Sequence, residues 1–199
     1  MQEKRTQADR RAMTRQALLT AARQAFVENG YAGAATEAVV RRAGVTRGAL
    51  YYHFPDKAAL FEAVVDIVAA EIGDAIVEAA RRSPSPRAAL IDGMRAFLDA
   101  CMRDEARSIY LIDGPAVLGW RRWREIDGAH SGRLLREGVA AALGDCPNSD
   151  VEVLTTLLSG AFNEAALWLS DAPDDADRRR AMDSATVDLF VRLLPDPDS

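Results

Sequence analysis

The sequence predicts an all-α chain in which a small N-terminal head of three helices, containing a helix-turn-helix, is attached to a larger helical body. Three observations predict it. Apolar residues recur at three- and four-residue steps through most segments instead of alternating as half-buried strands do. Glycine, proline and short polar clusters fall between those segments, where helices start and stop. Two short helical stretches flank a glycine-centred turn near residue 44, behind a long leading helix. The junction is placed at residue 55, dividing the chain into a head over 1–55 and a body over 56–199.

The first helix is expected from about Ala8 to Glu28, with Ala17, Leu18, Ala21, Ala22, Ala25 and Phe26 as one apolar stripe. Gly30 ends it, since glycine enters the left-handed region without a Cβ clash, and Tyr31 folds back over the stripe. A short second helix spans Thr36–Arg42 with Val39 and Val40 inward. In AGVTRGALYYHF, residues 43–54, Gly44 permits the turn, Val45 fills the gap between helices and Thr46 caps a third helix that buries Leu50 and Phe54. Pro55 and Asp56 separate it from a long helix reaching Ala80, whose apolar face runs from Leu60 and Phe61 to Ile72 and Ile76. SPSPR at 83–87 closes that section. Further helices follow over Arg87–Arg103, Glu105–Ile112 (interrupted by Gly114 and Pro115), Trp120–Ala142, Asp150–Ser170 and Asp174–Leu194. A loop is expected at 144–150, and a frayed end rich in proline and aspartate.

Charge is unevenly shared. The whole chain carries −5, yet residues 1–60 hold ten Lys/Arg against five acids, leaving −10 on the remainder. A polyanion responds to the local field more than to the sum, so the head suits a nucleic acid despite the acidic total. No stretch of eighteen uninterrupted apolar residues suggests a membrane span, and the N-terminus lacks the apolar core of a signal peptide, which predicts a cytoplasmic protein. Cys101 and Cys146 have no metal-like spacing. His53 and His130 are not partnered by a nucleophile or a metal cluster, and there is no glycine-rich phosphate loop. The chain is therefore expected to be no enzyme and to need neither metal nor cofactor.

A short exposed helix fits the DNA major groove, where each base pair offers a distinct pattern of donors and acceptors. Thr46 and Arg47 stand at its N-terminus, where backbone amides and the dipole favour a phosphate. Gly48 and Ala49 lack bulk and allow close approach. Tyr51 and Tyr52 offer rings and hydroxyls, His53 can touch the backbone, and Lys57 can neutralise a phosphate at the start of the next helix. A basic arm with Lys4, Arg5, Arg10 and Arg11 adds salt-dependent affinity. Tyr51 and His53 also suit packing roles, and Arg41 and Arg42 suit a solvated surface.

Residues 17–61 resemble the DNA-binding head of the TetR family of bacterial regulators. The likeness rests on Ala21-Ala22, Phe26, Gly30-Tyr31, Ala43-Gly44-Val45, Leu50-Tyr51-Tyr52-His53-Phe54, Lys57 and Leu60-Phe61. It implies a homodimer of mostly nine-helix subunits, usually a repressor released from operator DNA by a small molecule, with contacts at Thr46, Arg47, Tyr51, Tyr52, His53 and Lys57. One departure stands out: the family often has Thr or Ser where this chain has Ala34 and Ala35, so either Thr36 shifts the cap or a phosphate contact is missing. An activator of the same fold and a helical interaction protein without DNA are the alternative readings.

In the family the last two helices build the dimer. Here Leu154, Leu157, Leu158, Ala161, Ala165, Trp168 and Leu169 on one helix, with Ala181, Ala185, Val187, Leu189 and Phe190 on the next, are candidates either for that interface or for an ordinary core. Gly160 and Ala161 would permit close approach. Met94, Phe97, Cys101, Tyr110, Trp120, Trp123 and Phe162 are candidates for an aromatic ligand cavity, with Asn163 or Glu164 for polar recognition. Glu105, Asp113 and Glu125 favour a cationic ligand if they face inward.

Overall fold

A computed structural model describes residues 6–144 and 148–194. Lys4, Arg5, residues 145–147 of the expected loop (Cys146 among them) and the Pro/Asp-rich end after 194 lie outside the described residues, while residues 148–150 of that loop already belong to a helix. Among those described, eleven α-helices and two π-helical segments follow one another with no strand. The head is α1 (Gln7–Gly33), α2 (Thr36–Ala43) and α3 (Arg47–His53). Thr6 and Asp9 form a reciprocal capping box at the start of α1. Gly30, at φ 64° and ψ 173°, breaks that helix before a last turn. Tyr31 then stacks on Phe26, ring centres 6.0 Å apart, and meets Phe61 edge-on at 4.9 Å. Gly44 takes the left-handed conformation (φ 66°) between α2 and α3.

The body begins with α4 (Lys57–Ala80), capped by Asp56, and α5 (Pro86–Met102), capped by Ser85 with Pro86 in its first turn. α6 (Asp104–Ala106) leads into a π-helical segment over Arg107–Asp113. α7 (Gly114–Leu118) and α8 (Trp120–Asp127) follow, then a second π-helical segment (Gly128–Gly132), α9 (Arg133–Leu143), α10 (Asn148–Ser170) and α11 (Ala176–Leu193). Two expectations are corrected here. The helix expected over Glu105–Ile112 is mostly π-helical, and Gly114 and Pro115 begin a short helix instead of ending one, proline being tolerated in a first turn. The long segment Trp120–Ala142 is two α-helices joined by π-helical turns, so the family's nine-helix outline is subdivided here.

Leu18, Leu50, Leu60, Phe61, Ile72, Leu98, Ile109, Tyr110 and Phe190 are fully buried in one continuous apolar core. α4 runs the length of that core, packing on α1 at its start and on α5 beyond. From Lys57 to Ile76 it extends about 28 Å at 1.5 Å per residue. One rigid element thus touches both the head and the middle of the body.

Candidate functional site

The outer face of α3 is built from four residues at helical spacing: Arg47, Gly48, Tyr51 and Tyr52 are exposed, Tyr52 by 67%. Leu50 and Phe54 are buried on the opposite side with Val39, and fix the helix's orientation. Thr46 caps α3, its Oγ1 accepting from the Ala49 amide at 3.2 Å. Ala49 and His53 lie half-buried on the flanks. The Arg47 guanidinium lies 5.5 Å over the Tyr51 ring and 3.5 Å from Glu37 Oε1, a loose exposed pair that leaves it free to take a phosphate or base. Lys57 sits over Tyr31 and donates to the Ala32 carbonyl at 3.3 Å.

Two arginines one turn apart on α1 complete this surface. Arg11 lies 5.2 Å over the Tyr52 ring and Arg15 lies 5.3 Å over Phe54. Burial first, then the positive charges of Arg11 and Arg15, hold the His53 imidazole below its ordinary pKa. The sequence puts Arg11 in the basic arm and gives Arg15 no role; their four-residue spacing is the signal that puts both on the α3 side. Arg42 is engaged by Glu28 at 2.8 Å, while Arg41 is solvated. The cap of α2 is not moved to Thr36. Ala35 is the N-cap without a side-chain hydrogen bond, and the Thr36 hydroxyl faces Glu37.

In the body, a cavity of about 350 Å³ opens between α4, α5, α9 and α10. Its walls are largely apolar, from Ile76, Leu90, Met94, Phe97, Leu134, Leu135 and Phe162. Four buried polar side chains interrupt them, Asp127, Ser131, Ser159 and Asn163, and the exposed Arg81 and Glu137 stand at the edge. Arg124 Nη1 donates both to Asp127 Oδ2 at 2.5 Å and to Ser159 Oγ at 2.8 Å, which brings α8 and α10 together. The Tyr110 hydroxyl donates to Asp127 Oδ1 at 2.5 Å; burial and then the Asp127 charge push this phenol well above its usual pKa, keeping it a donor.

Of the eight residues expected around a cavity, Met94, Phe97, Phe162 and Asn163 line this one. Cys101, Tyr110 and Trp123 are buried but belong to the core beside it, Trp123 Nε1 donating to the Tyr110 carbonyl at 2.8 Å. Trp120 is 61% exposed, because α8 carries it outward beside Arg124. Glu164 is exposed as well. The three acids considered for a cationic ligand are engaged elsewhere. Glu105 binds Arg23, Glu125 binds Arg122 at 2.7 Å, and Asp113 accepts the Tyr31 amide at 2.8 Å. Asp127, Ser131 and Ser159 were not singled out from sequence; the available signal is small polar residues four apart on otherwise apolar helix faces.

The expected dimer residues divide in the same way. Leu158, Ala165 and Leu169 are buried in their own chain, with Leu154 and Leu189 half-buried against the same core. Ala161 and Ala185 are exposed. The exposed apolar residues of α10 include Val153 (58% exposed), Leu157 (64%) and Trp168, the last under the Arg178 guanidinium, and Val191 is exposed on α11. Head and body are joined by charge. Arg23 on α1 donates two hydrogen bonds to the Glu71 carboxylate on α4, both at 2.6 Å, and binds Glu105, an arrangement that raises its pKa.

Residues 18–64 match the family model described as "Bacterial regulatory proteins, tetR family", and residues 87–193 match "Tetracyclin repressor-like, C-terminal domain". The chain is similar to a TetR-family transcriptional regulator from Pectobacterium atrosepticum whose crystal structure is known. Identity is 31%, TM-score 0.75, covering 97% of this chain and all of that one. It is 35% identical over 107 residues to the transcriptional repressor BepR of Brucella suis, a match of 53% of this chain and 51% of BepR. It is 34% identical over 191 residues to the A-factor receptor protein of Streptomyces griseus, 94% of this chain and 64% of that protein. The matches thus span about half to two thirds of these curated relatives' lengths.

Proposed function

The chain belongs to the TetR family of transcriptional regulators, and from that premise we propose that it works as a homodimeric repressor, released from operator DNA when a small molecule fills the cavity in its body. The observation that carries the DNA-binding half is the outer face of α3. Arg47, Gly48, Tyr51 and Tyr52 stand clear of the core, with Arg11, Arg15 and Lys57 around them. In this reading α3 enters the major groove, Gly48 and Ala49 allow close approach, and Arg47 reads a base edge or a phosphate. Thr46, Tyr51, Tyr52, His53 and Lys57 position the head on the backbone. Two heads related by the dimer axis read inverted half-sites. The open apolar faces of α10 and α11 supply the self-association surface.

The cavity supports the effector half, as does the name of one relative, a receptor. Release requires that the ligand bind one head spacing better than another. α4 carries the link, with Lys57 at the DNA end and Ile76, Val77 and Ala80 in the cavity wall. Arg23 and the Asp113–Tyr31 hydrogen bond tie the head to the same frame.

The experiment is selection of genomic fragments on the purified protein, followed by anisotropy titration of a selected fragment at several salt concentrations. Sequence-selective, salt-sensitive binding that Arg47→Ala weakens by about 1–3 kcal/mol is the expected result. Absence of binding to every fragment refutes the reading.

A further inference from the structure

We propose that the cavity takes an uncharged, largely hydrocarbon molecule bearing one hydroxyl group, which donates to Asn163 Oδ1 and accepts from Ser131 Oγ. This rests on the reading of the cavity as the effector site and goes on to name the ligand's chemistry.

Asn163 is 5% exposed and Ser131 8%, both line the cavity, and neither Asn163 Oδ1 nor Ser131 Oγ has a hydrogen-bond partner. A buried polar atom left unpaired is costly, and groups held that way at a cavity wall are ready for a ligand. The other two polar residues are already served. Asp127 accepts from Tyr110 and Arg124, and Ser159 Oγ accepts from Arg124.

The two orphans line the same cavity from two elements that Arg124 holds together. Ser131 follows Asp127 by four residues across the π-helical turns, and Asn163 follows Ser159 by four on α10. Arg124 bridges Asp127 to Ser159. Asp127 and Ser131 therefore form one side of a polar notch, Ser159 and Asn163 the other.

Charge then selects among ligands. Asp127 and Arg124 compensate each other within 2.5 Å. An ammonium ligand would find no free counter-charge in the notch and would lose its hydration. A carboxylate would lie beside the Asp127 carboxylate, whose negative field also helps to push up the Cys101 thiol pKa, after burial. An ether oxygen accepts from Ser131 but gives Asn163 Oδ1 nothing. A hydroxyl has both a donor and acceptor lone pairs, and satisfies both. Arg81 and Glu137 also border the cavity, but both are exposed and paired, with Glu78 and Arg133; the rest of the wall, from Ile76 to Phe162, asks for hydrocarbon.

The test is calorimetric titration of the full-length protein with four probes on one skeleton: butylcyclohexanol, its methyl ether, the carboxylate and the primary amine. The alcohol is expected to bind at least about tenfold more tightly than the ether, with the ions weaker still. In Asn163→Leu, whose melting temperature is checked first, the alcohol's advantage over the ether falls to near unity, whereas Ser131→Ala weakens alcohol and ether alike and leaves their ratio in place. Equal binding of alcohol and ether, or tightest binding by either ion, overturns the hydroxyl assignment while leaving the cavity as a ligand site. If none of the four binds, the effector reading of the cavity falls together with the assignment.

Discussion

Leu157 and Leu158 are adjacent in the chain but occupy opposite environments, 64% and 3% exposed. Arginine at each should therefore produce opposite failures. At 158, truncating a buried leucine alone costs about 2–5 kcal/mol. An arginine there also strands a charge in the core, adding several more. A domain holds only about 5–15 kcal/mol of stability, so Leu158→Arg is expected to unfold the subunit. At 157 the isolated subunit buries little, and exposed substitutions usually stay within about 0.5 kcal/mol. In a symmetric dimer the same change occurs twice. Two leucines worth about 1.5–3 kcal/mol each when buried, scaled by the exposed fraction, give roughly 2–4 kcal/mol. At 1.4 kcal/mol per factor of ten, dimer dissociation rises roughly 25- to 500-fold, before charge repulsion across the axis. Sedimentation velocity over a range of concentrations, run beside thermal unfolding by circular dichroism, separates the two effects. A Leu157→Arg dimer of native affinity, or a well-folded Leu158→Arg monomer, would refute the assignment of faces.

Tyr110→Phe removes a buried donor to Asp127 and should cost about 2 kcal/mol in urea unfolding with an unchanged slope; a loss below about 0.5 kcal/mol shows the contact to be idle. His53 is held below its ordinary pKa, so the fold favours the neutral ring. That contribution is complete above about pH 6.5 and is lost as pH falls through the folded value. Operator phosphates act oppositely and raise the pKa, so operator affinity should increase as pH drops from about 8 to 6, and His53→Asn should flatten the slope; an equally steep variant disproves it. In Gly138→Ala the new Cβ would lie 2.6 Å from Leu90 Cδ2, driving that side chain into the cavity. Butylcyclohexanol should then bind the variant several-fold more weakly by calorimetry, and undiminished affinity would show that Leu90 does not border the ligand.

The head was readable because each punctuating residue there has one physical job. Gly44 is at φ 66° where a side chain would be strained, Thr46 accepts from the amide three residues on, and Leu50 and Phe54 share the face that Arg47 and Tyr51 do not. The body resisted the same reading because its helices serve two partners. α10 is apolar around most of its circumference. Leu154, Leu158, Ala165 and Leu169 turn to the subunit's own core, while Val153, Leu157 and Trp168 turn away. A period of 3.6 shows that such a helix has faces but not which neighbour each one meets. Trp120 and Trp123, three residues apart, make the same point: their rings lie 5.1 Å apart, yet one is exposed and the other buried against Tyr110. The π-helical segments add a second obstacle, since an extra residue per turn shifts the phase of everything after it. Asp127 and Ser131 are separated by such a shift, and an α-helical projection continued through residues 128–132 misplaces the later residues. The polar notch therefore emerges only once Arg124 is seen holding α8 against α10. It is a long-range contact between residues that local sequence gives no reason to pair.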